Sequence, residues 1–189
     1  MIYSAVSHLA SQLNQFLKQT HDPLEDIVLV SNLFGHDGNA VLNTNNKLIM
    51  FLANLEKDTV PYRRHQGHAG DRSVISSRAI YLNLYVMVAA NFSGGNYSEA
   101  LKFISSTISF FQRFPVFDHD VTPDLDSRIE KLMLEIENLK INELSNLWTL
   151  LGGKYLPSVL YKVRMVAFDA GDVIGQVPNI RSPAIETNL

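Results

Sequence analysis

The chain has 189 residues, no cysteine and a formal net charge of −3. This length suits one domain, or one domain with a tail, and such a chain buries on the order of 70% of its unfolded surface. The absence of cysteine excludes disulfides and thiolate metal sites, and the acidic balance argues against a general polyanion binder. The apolar runs fall short of the roughly 20 residues of a membrane span, and no signal peptide is evident. We therefore expect a protein that is soluble and intracellular when made.

The first third of the chain predicts a helix followed by two strands. Apolar residues at three- and four-residue spacings indicate a helix over residues 3–19, and His21-Asp22-Pro23 ends it. A short β-branched run at Ile27–Val30 predicts a buried strand, and the glycine- and asparagine-rich residues 32–46 predict a loop. Lys47–Leu55 is apolar on both alternating faces, which is typical of a central strand.

Residues 59–78 predict a long basic loop. Four arginines, Arg63, Arg64, Arg72 and Arg78, face a single acidic residue, Asp71. Loops of this length in compact domains are usually either functional or disordered, so one interpretation is a solvated loop. The sharper hypothesis is that the arginines bind an acidic protein surface through their bidentate guanidinium groups. Nucleic-acid binding ranks third, because the rest of the chain is acidic and lacks an evident stacking platform.

The middle of the chain predicts a secure strand and a helix. Apolar residues alternate over Ile80–Ala90, which is typical of a strand covered on both sides. Asn96 is the expected N-cap of the next helix, with Glu99 completing a capping box. The apolar stripe of this helix is Leu101, Ile104, Ile108 and Phe111, and the helix stops at Pro115. Phe103, Phe110 and Phe114 widen the stripe, so we expect the helix to be buried on more than one side.

Residues 125–139 fit two patterns. Leu125, Ile129, Leu132 and Ile136 lie at helical spacing, and the glutamates and lysines between them favour helix. Leu132, Leu134 and Ile136 also alternate with a second set, as in a half-buried strand. That second set is Lys131, Met133, Glu135 and Glu137. The pattern alone slightly favours a helix.

The stretch from Ile141 to Asp169 predicts a short helix fixed against a last strand. Asn142 is a plausible N-cap, Trp148 lies on the apolar face, and Gly152-Gly153 provides left-handed C-terminal positions. We expect Trp148 in the core rather than at a protein–protein hot spot. In the strand after Pro157, Lys162 and Arg164 lie on a mixed face that is suited to a neighbour. Residues 170–189 predict a polar tail that orders on a partner.

Four motifs resemble parts of chemical sites, and none is complete. Gly152-Gly153-Lys154 lacks the glycine spacing of a phosphate-binding loop. Neither His65-x-x-His68 nor Asp118-His119-Asp120 has an identifiable third metal ligand. Glu135 and Glu137 share a strand face, yet nothing supplies a nucleophile or the raised pKa that an acid catalyst needs. We therefore predict no catalytic, cofactor-binding or metal-binding residues.

Several segments in order resemble the cap, or tail-terminator, family of contractile injection systems of the antifeeding-prophage kind. The matching segments are TNNKLI at 44–49, NLE at 54–56, YLNLY at 81–85, YSEALKFIS at 97–105, ISFFQ at 108–112, LEIENL at 134–139, ELSNLW at 143–148 and GGKYLPSVLYKVRM at 152–165. The resemblance implies an α+β fold, like that of phage tail terminators, with helices packed on a mixed, mostly antiparallel sheet. It makes residues 128–139 a strand, and it divides the chain into a domain at 1–169 and a tail at 170–189.

The resemblance also implies a structural role. Such a protein is not an enzyme: it forms a homohexameric ring that closes the distal end of the tube and sheath and ends their polymerisation. The implied partners are further copies of the chain and the tube and sheath proteins, with no nucleic acid, membrane, cofactor or small-molecule substrate. The expected contact residues are Arg63, Arg64, Arg72, Arg78, Lys162 and Arg164. Assembly is expected in the bacterial cytoplasm, as part of a particle that is released from the cell.

Two alternatives to the cap remain. One is another structural component of the same particle, such as a baseplate or sheath-adaptor protein. The other, from a different class, is a small metal-dependent hydrolase that uses a histidine and aspartate loop. Some relatives continue into a longer C-terminal region, so any contact that such an extension makes is an open question for this chain.

Overall fold

The computed structural model describes residues 1–35, 41–59, 72–74, 80–152, 155–167 and 176–178, and of 72–74 and 176–178 the backbone alone. The helices are Ile2–His21 (α1), Tyr97–Arg113 (α2) and Ile141–Leu150 (α3), with a 3-10 turn at Gly94–Asn96. The strands are Val28–Val30 (β1), Lys47–Lys57 (β2), Arg72–Val74 (β3), Ile80–Asn91 (β4), Val116–Asp118 (β5), Ile129–Ile136 (β6), Ser158–Ala167 (β7) and Gln176–Pro178 (β8). None of the helices in these ranges is long and apolar enough to cross a membrane.

The described strands form one six-stranded sheet and a separate two-stranded ribbon. The sheet order is β1-β2-β4-β7-β6-β5, and the ribbon pairs β3 with β8. Only β1 and β2 run parallel within the sheet, and every other neighbouring pair is antiparallel. The prediction of an α+β fold with a mixed, mostly antiparallel sheet is therefore confirmed. Residues 129–136 form a strand, as the family resemblance implied. The helix that the pattern alone slightly favoured is wrong.

Helices α1 and α2 cover one face of the main sheet, which we call the first face. Leu13 and Leu17 of α1 are completely buried, as are Leu48 of β2, Leu84 of β4 and Val163 of β7. Burying one such side chain contributes about 1.5–3 kcal/mol. Because this cluster is the larger of the two described apolar clusters, it supplies most of the apolar stabilisation of the domain. The alternation predicted for β2 and β4 places these residues on the covered side.

Asn14 ties α1 to the edge of the sheet. Its Oδ1 atom accepts hydrogen bonds from the backbone N–H groups of Ile27 (3.0 Å) and Val28 (2.8 Å), and its Nδ2 donates to the Val28 carbonyl (2.9 Å). An amide has both a donor and an acceptor, so one side chain satisfies three backbone groups that would otherwise lack partners at the start of β1. Nothing in the sequence pattern singles out this asparagine, because its partners lie thirteen and fourteen residues away.

His8 of α1 is buried against the loop between β5 and β6. The Thr122 hydroxyl donates to the Asp118 carbonyl (3.1 Å), so it accepts from Nε2–H of His8, also at 3.1 Å. Nδ1 of the same ring lies 3.7 Å from Oδ2 of Asp124. Burial lowers the pKa of His8 below its ordinary 6.5, although the charge of Asp124 acts in the opposite direction. The ring is therefore neutral in the folded protein at neutral pH.

Acidification should weaken the fold through His8. Because the folded pKa is depressed, the unfolded chain binds this proton first as the pH falls below 6.5. The free energy of unfolding should therefore fall through this range and level off below the folded pKa. Urea unfolding between about pH 7.5 and about pH 5.5 measures this slope. His8→Gln keeps a donor for Thr122 but does not titrate, so its slope should be shallower. Equal slopes in the two proteins would contradict this assignment.

The ends of α2 and α3 differ from the sequence predictions. Asn96 is the N-cap residue of α2, as predicted, but its side chain makes no capping bond. It instead donates to Oδ1 of Asn46 at 3.3 Å, so the predicted capping box with Glu99 is wrong. Helix α3 begins at Ile141 with Lys140 as its N-cap, whose backbone N–H bonds the Glu143 carboxylate at 2.8 Å; Asn142 is therefore not the cap. At α2, the side chain of Asn96 bonds the competing partner Asn46 instead of the helix backbone. At α3, the Glu143 carboxylate satisfies the backbone N–H at the helix start.

Two further predictions need correction, and one is confirmed. Leu101 is 44% exposed and Phe114 is 39% exposed, so these two do not belong to the buried face of α2. Of the other predicted residues, Phe103, Ile104, Phe110 and Phe111 are buried, as expected. The basic segment predicted as loop contains β3 at 72–74, because these residues pair with β8. Gly152 follows α3 with φ of +70°, as predicted for a left-handed C-terminal glycine, whereas Gly153 lies outside the described residues.

Candidate functional site

The face of the main sheet opposite α1 and α2, which we call the second face, is divided into an apolar and a polar part. Helix α3 covers the apolar part: Trp148 is 3% exposed and packs in a cluster with Ile49, Met87 and Leu160. The core position predicted for Trp148 is thereby confirmed. Beyond the part that α3 covers, the residues of the same strands that point to the second face are mostly polar. The domain thus presents polar side chains beside a short covering helix.

Polar side chains cross four strands in neighbouring rows on the second face, and together we call them the polar band. Register places Asn54 of β2, Tyr85 of β4, Lys162 of β7 and Glu135 of β6 in one row. The next row holds Glu56, Asn83 and Arg164 on β2, β4 and β7, and it ends at the apolar Met133 of β6. Adjacent strands are about 4.8 Å apart, so the band is about 14 Å wide.

Glu56 is fixed at the β2 side of the polar band. The Tyr85 hydroxyl donates to its Oε2 at 3.0 Å, and Asn54 Nδ2 donates to its Oε1 at 3.3 Å. Partial burial raises the pKa of Tyr85, and so do the hydrogen bond to Glu56 and the charges of Glu56 and Glu137. Tyr85 therefore remains a protonated donor rather than a nucleophilic phenolate. This arrangement places the acceptor oxygens of Glu56 at the exposed surface of the second face.

The two expected contact residues in β7 have different surroundings. Arg164 donates to Oδ2 of Asp58 through Nε (3.1 Å) and Nη2 (2.9 Å), and the Asp58 side chain is 8% exposed. The guanidinium group of Arg164 is thus paired within the chain. Lys162 is half-buried beside Tyr85 and Glu135 in the register, and among the described residues it has no ion pair. Lys162 is therefore better suited to bind a carboxylate of a partner.

The arginine-rich segment lies mostly outside the described residues. Arg63, Arg64 and Arg78 are outside them, and Arg72 begins β3. The structure therefore brings Lys162 and Arg164 together on the second face, whereas the contacts expected of the four arginines at 63–78 stay a prediction. Tyr85 and Glu56 were not singled out from the sequence, since their pairing depends on the register of β2 and β4, 29 residues apart.

The features that resembled chemical sites have structural partners where they are described. Nε2 of His119 donates to the Ile129 carbonyl at 2.9 Å. Asp118 accepts from the backbone N–H groups of Asp120 (3.2 Å) and Val121 (3.1 Å), which closes a turn. His65 and His68 lie outside the described residues, and within the described ranges no three His, Asp or Glu side chains are grouped to hold a metal ion.

Comparison with known proteins gives a consistent family and fold. The sequence model of the Pvc16 N-terminal domain family matches residues 5–182. No curated protein matches the chain. The sheath/tube terminator of PVC, an extracellular contractile injection system, in its extended state superposes with a TM-score of 0.56 at 15% identity, over 100% of this chain and 64% of that one. The tube-terminating cap of the anti-feeding prophage superposes with a TM-score of 0.56 at 12% identity, over 94% of this chain and 59% of that one. The chain thus spans less than two thirds of either structure, and identities this low establish the fold alone.

Proposed function

This chain belongs to the Pvc16 N-terminal domain family, and we propose that it is a structural terminator of a contractile injection system, closing the end of its tube and sheath. The observation that carries the proposal is the family match over residues 5–182. The likeness to two structures that are themselves named as terminators supports it through the fold. The proposal includes assembly in the bacterial cytoplasm, as part of a particle that acts outside the cell.

A terminator must match the last ring of a polymer and present no equivalent surface for the next. We propose that this chain does so as a homohexameric ring. Closed cyclic symmetry requires a heterologous interface, in which two different patches of each subunit meet head to tail. The main sheet supports such an interface, because its two edges differ: β1 is parallel to its neighbour and β5 is antiparallel.

The proposal excludes an enzymatic role. It is supported by the environments of the described polar residues, since Tyr85 is kept protonated beside Glu56, and His119 bonds a backbone carbonyl. Polar side chains held in this way provide a fixed pattern of charge for recognition. In the proposed ring, Lys162, Arg63, Arg64 and Arg78 contact carboxylates of the tube or sheath. Arg72 contacts a neighbouring copy of the chain, and Arg164 mainly fixes the position of Asp58.

Particles assembled without this chain should lose length control. We expect tubes and sheaths of broadly distributed length, because nothing then blocks addition at the distal end. Electron micrographs of particles produced with and without the gene measure the distribution, and restoring the full chain is the control. A small tag on this protein should appear at the end opposite the baseplate. Unchanged lengths would refute the terminator role, and a tag at the baseplate would indicate a different structural component.

A further inference from the structure

Strand β6 extends past the end of its edge neighbour β5. Strand β5 pairs only with Lys131–Met133, while β6 continues to Ile136. The reason lies in the chain just before β5: α2 ends at Arg113, and Pro115 follows immediately before the strand. Proline has no N–H, so it can begin an edge strand but cannot donate to the ladder. The last residues of β6 are therefore at an open edge.

The backbone groups at this open edge can be assigned from two hydrogen bonds. Leu134 N–H donates to the Pro115 carbonyl at 2.8 Å, towards β5, and Glu137 N–H donates to the Leu160 carbonyl at 2.9 Å, towards β7. Because these directions alternate along a strand, the N–H and C=O groups of Ile136 point outward, past the end of β5. The Leu134 carbonyl also points outward, and Pro115 offers it no donor. Among the described residues, the register gives these three groups no strand partner.

The ribbon of β3 and β8 also has strand edges that lack a partner among the described residues. Each of its strands has three residues, and in the described part of the chain they pair only with each other. A lone two-stranded ribbon is at best marginally stable in water, and a third strand is generally needed for independent stability. The outer edge of β3 can therefore gain backbone hydrogen bonds that the ribbon alone does not provide.

Charge favours pairing between these two edges. Glu135 and Glu137 flank Ile136 at the open edge, and Glu135 is exposed. Strand β3 begins with Arg72, a residue of opposite charge. Strand addition supplies affinity through backbone hydrogen bonds, while opposite charges at flanking positions select the partner. The side chain of Ile136 is 45% exposed and adds apolar area to the same edge.

We propose that the open end of β6, Leu134–Ile136, pairs with β3 of a second copy of this chain, making a continuous sheet across the subunit interface. The inference rests on the proposed function, because it assigns the head-to-tail contact of the proposed ring. The two patches are different surfaces of one chain, as a heterologous interface requires. Each copy offers one β6 edge and one β3 edge, so every contact can repeat around the ring.

Engineered cysteines test the pairing directly, since the natural chain has none. A Ser73→Cys chain is mixed with an Ile136→Cys chain under mild oxidation, and Glu135→Cys and Glu137→Cys chains cover a register shift of one residue. Opposite residues of paired strands are close enough for a disulfide, so a cross-linked dimer should form. Tyr3→Cys, at an exposed position of α1, is the control partner and should give no dimer. Equal cross-linking to the control, or no cross-linking, would overturn the proposal. A double variant with Ser73→Cys and Ile136→Cys that formed only an intrachain disulfide would also overturn the proposal, because β3 would then pair with β6 of its own chain.

A proline substitution separates this interface from the terminator role. Ile136→Pro removes an outward N–H at an edge position where proline is tolerated, so circular dichroism should show an intact fold. We expect loss of the ring on size-exclusion chromatography, whereas Ile136→Val should leave the ring unchanged. A folded Ile136→Pro protein that still forms rings would refute the β6–β3 contact and leave the terminator role standing. Wild-type rings that do not attach to tube ends in electron micrographs would refute the terminator role and leave the contact standing.

Discussion

Replacing Trp148 by alanine should lower the free energy of unfolding by about 3–5 kcal/mol, the usual loss for truncating a buried tryptophan. Trp148 is the only buried residue of α3, so it holds this helix on the second face of the sheet. Without the indole ring, Met87 and Leu160 would lose their cover, and the cavity could close only if α3 moved. Urea unfolding followed by circular dichroism measures the change, because the variant has no tryptophan left to fluoresce.

Two control variants define what the Trp148 result means. Leu150 lies on the same helix and is 84% exposed, so Leu150→Ala should change stability by no more than about 0.5 kcal/mol. Trp148→Phe should cost only about 1 kcal/mol, because the buried Nε1 of Trp148 has no hydrogen-bond partner among the described residues, and phenylalanine removes this donor. If Trp148→Ala proved as mild as Leu150→Ala, the core assignment would be wrong and a contact role for Trp148 would gain support.

Replacing Asn14 by alanine should be the second large loss, about 2–4 kcal/mol, from three hydrogen bonds of about 1 kcal/mol each. The backbone N–H groups of Ile27 and Val28 and the carbonyl of Val28 would all lose their partner. Because β1 is a three-residue edge strand, we expect the loss to detach this strand from α1. Hydrogen exchange at Ile27 and Val28, together with urea unfolding, separates local opening from global unfolding.

Asn14→Asp tests whether hydrogen bonding or packing is responsible. The carboxylate keeps the acceptor for both N–H groups but faces the Val28 carbonyl, to which Asn14 donates at 2.9 Å. We expect an intermediate loss of stability that becomes smaller at acidic pH, where the protonated acid can donate again. The exposed neighbour Gln15 provides the matched control, and Gln15→Ala should have little effect. A pH-independent loss in Asn14→Asp would favour packing as the cause.

The fold could be predicted from the sequence wherever one pattern dominated. Alternation identified β4, proline and glycine marked the ends of α1 and α3, and the family resemblance settled β6, where helical and strand patterns overlapped. The polar band could not be predicted, because it depends on which strands become neighbours: Tyr85 and Glu56 meet only after β2 and β4 pair. Asn96 likewise satisfied a local capping pattern and yet bonds Asn46, 50 residues away.

The strand order has a consequence for synthesis. Strand β7 joins the β2–β4 pair to β6 and β5, yet it is the last strand of the main sheet to leave the ribosome. Until Ser158–Ala167 is available, the emerging chain consists of two partial sheets, each with a hydrophobic edge that lacks its central partner. Such edges are prone to intermolecular pairing, so the nascent chain is open to aggregation until the closing strand inserts. A stall or truncation before residue 158 would therefore yield aggregates rather than a smaller folded domain.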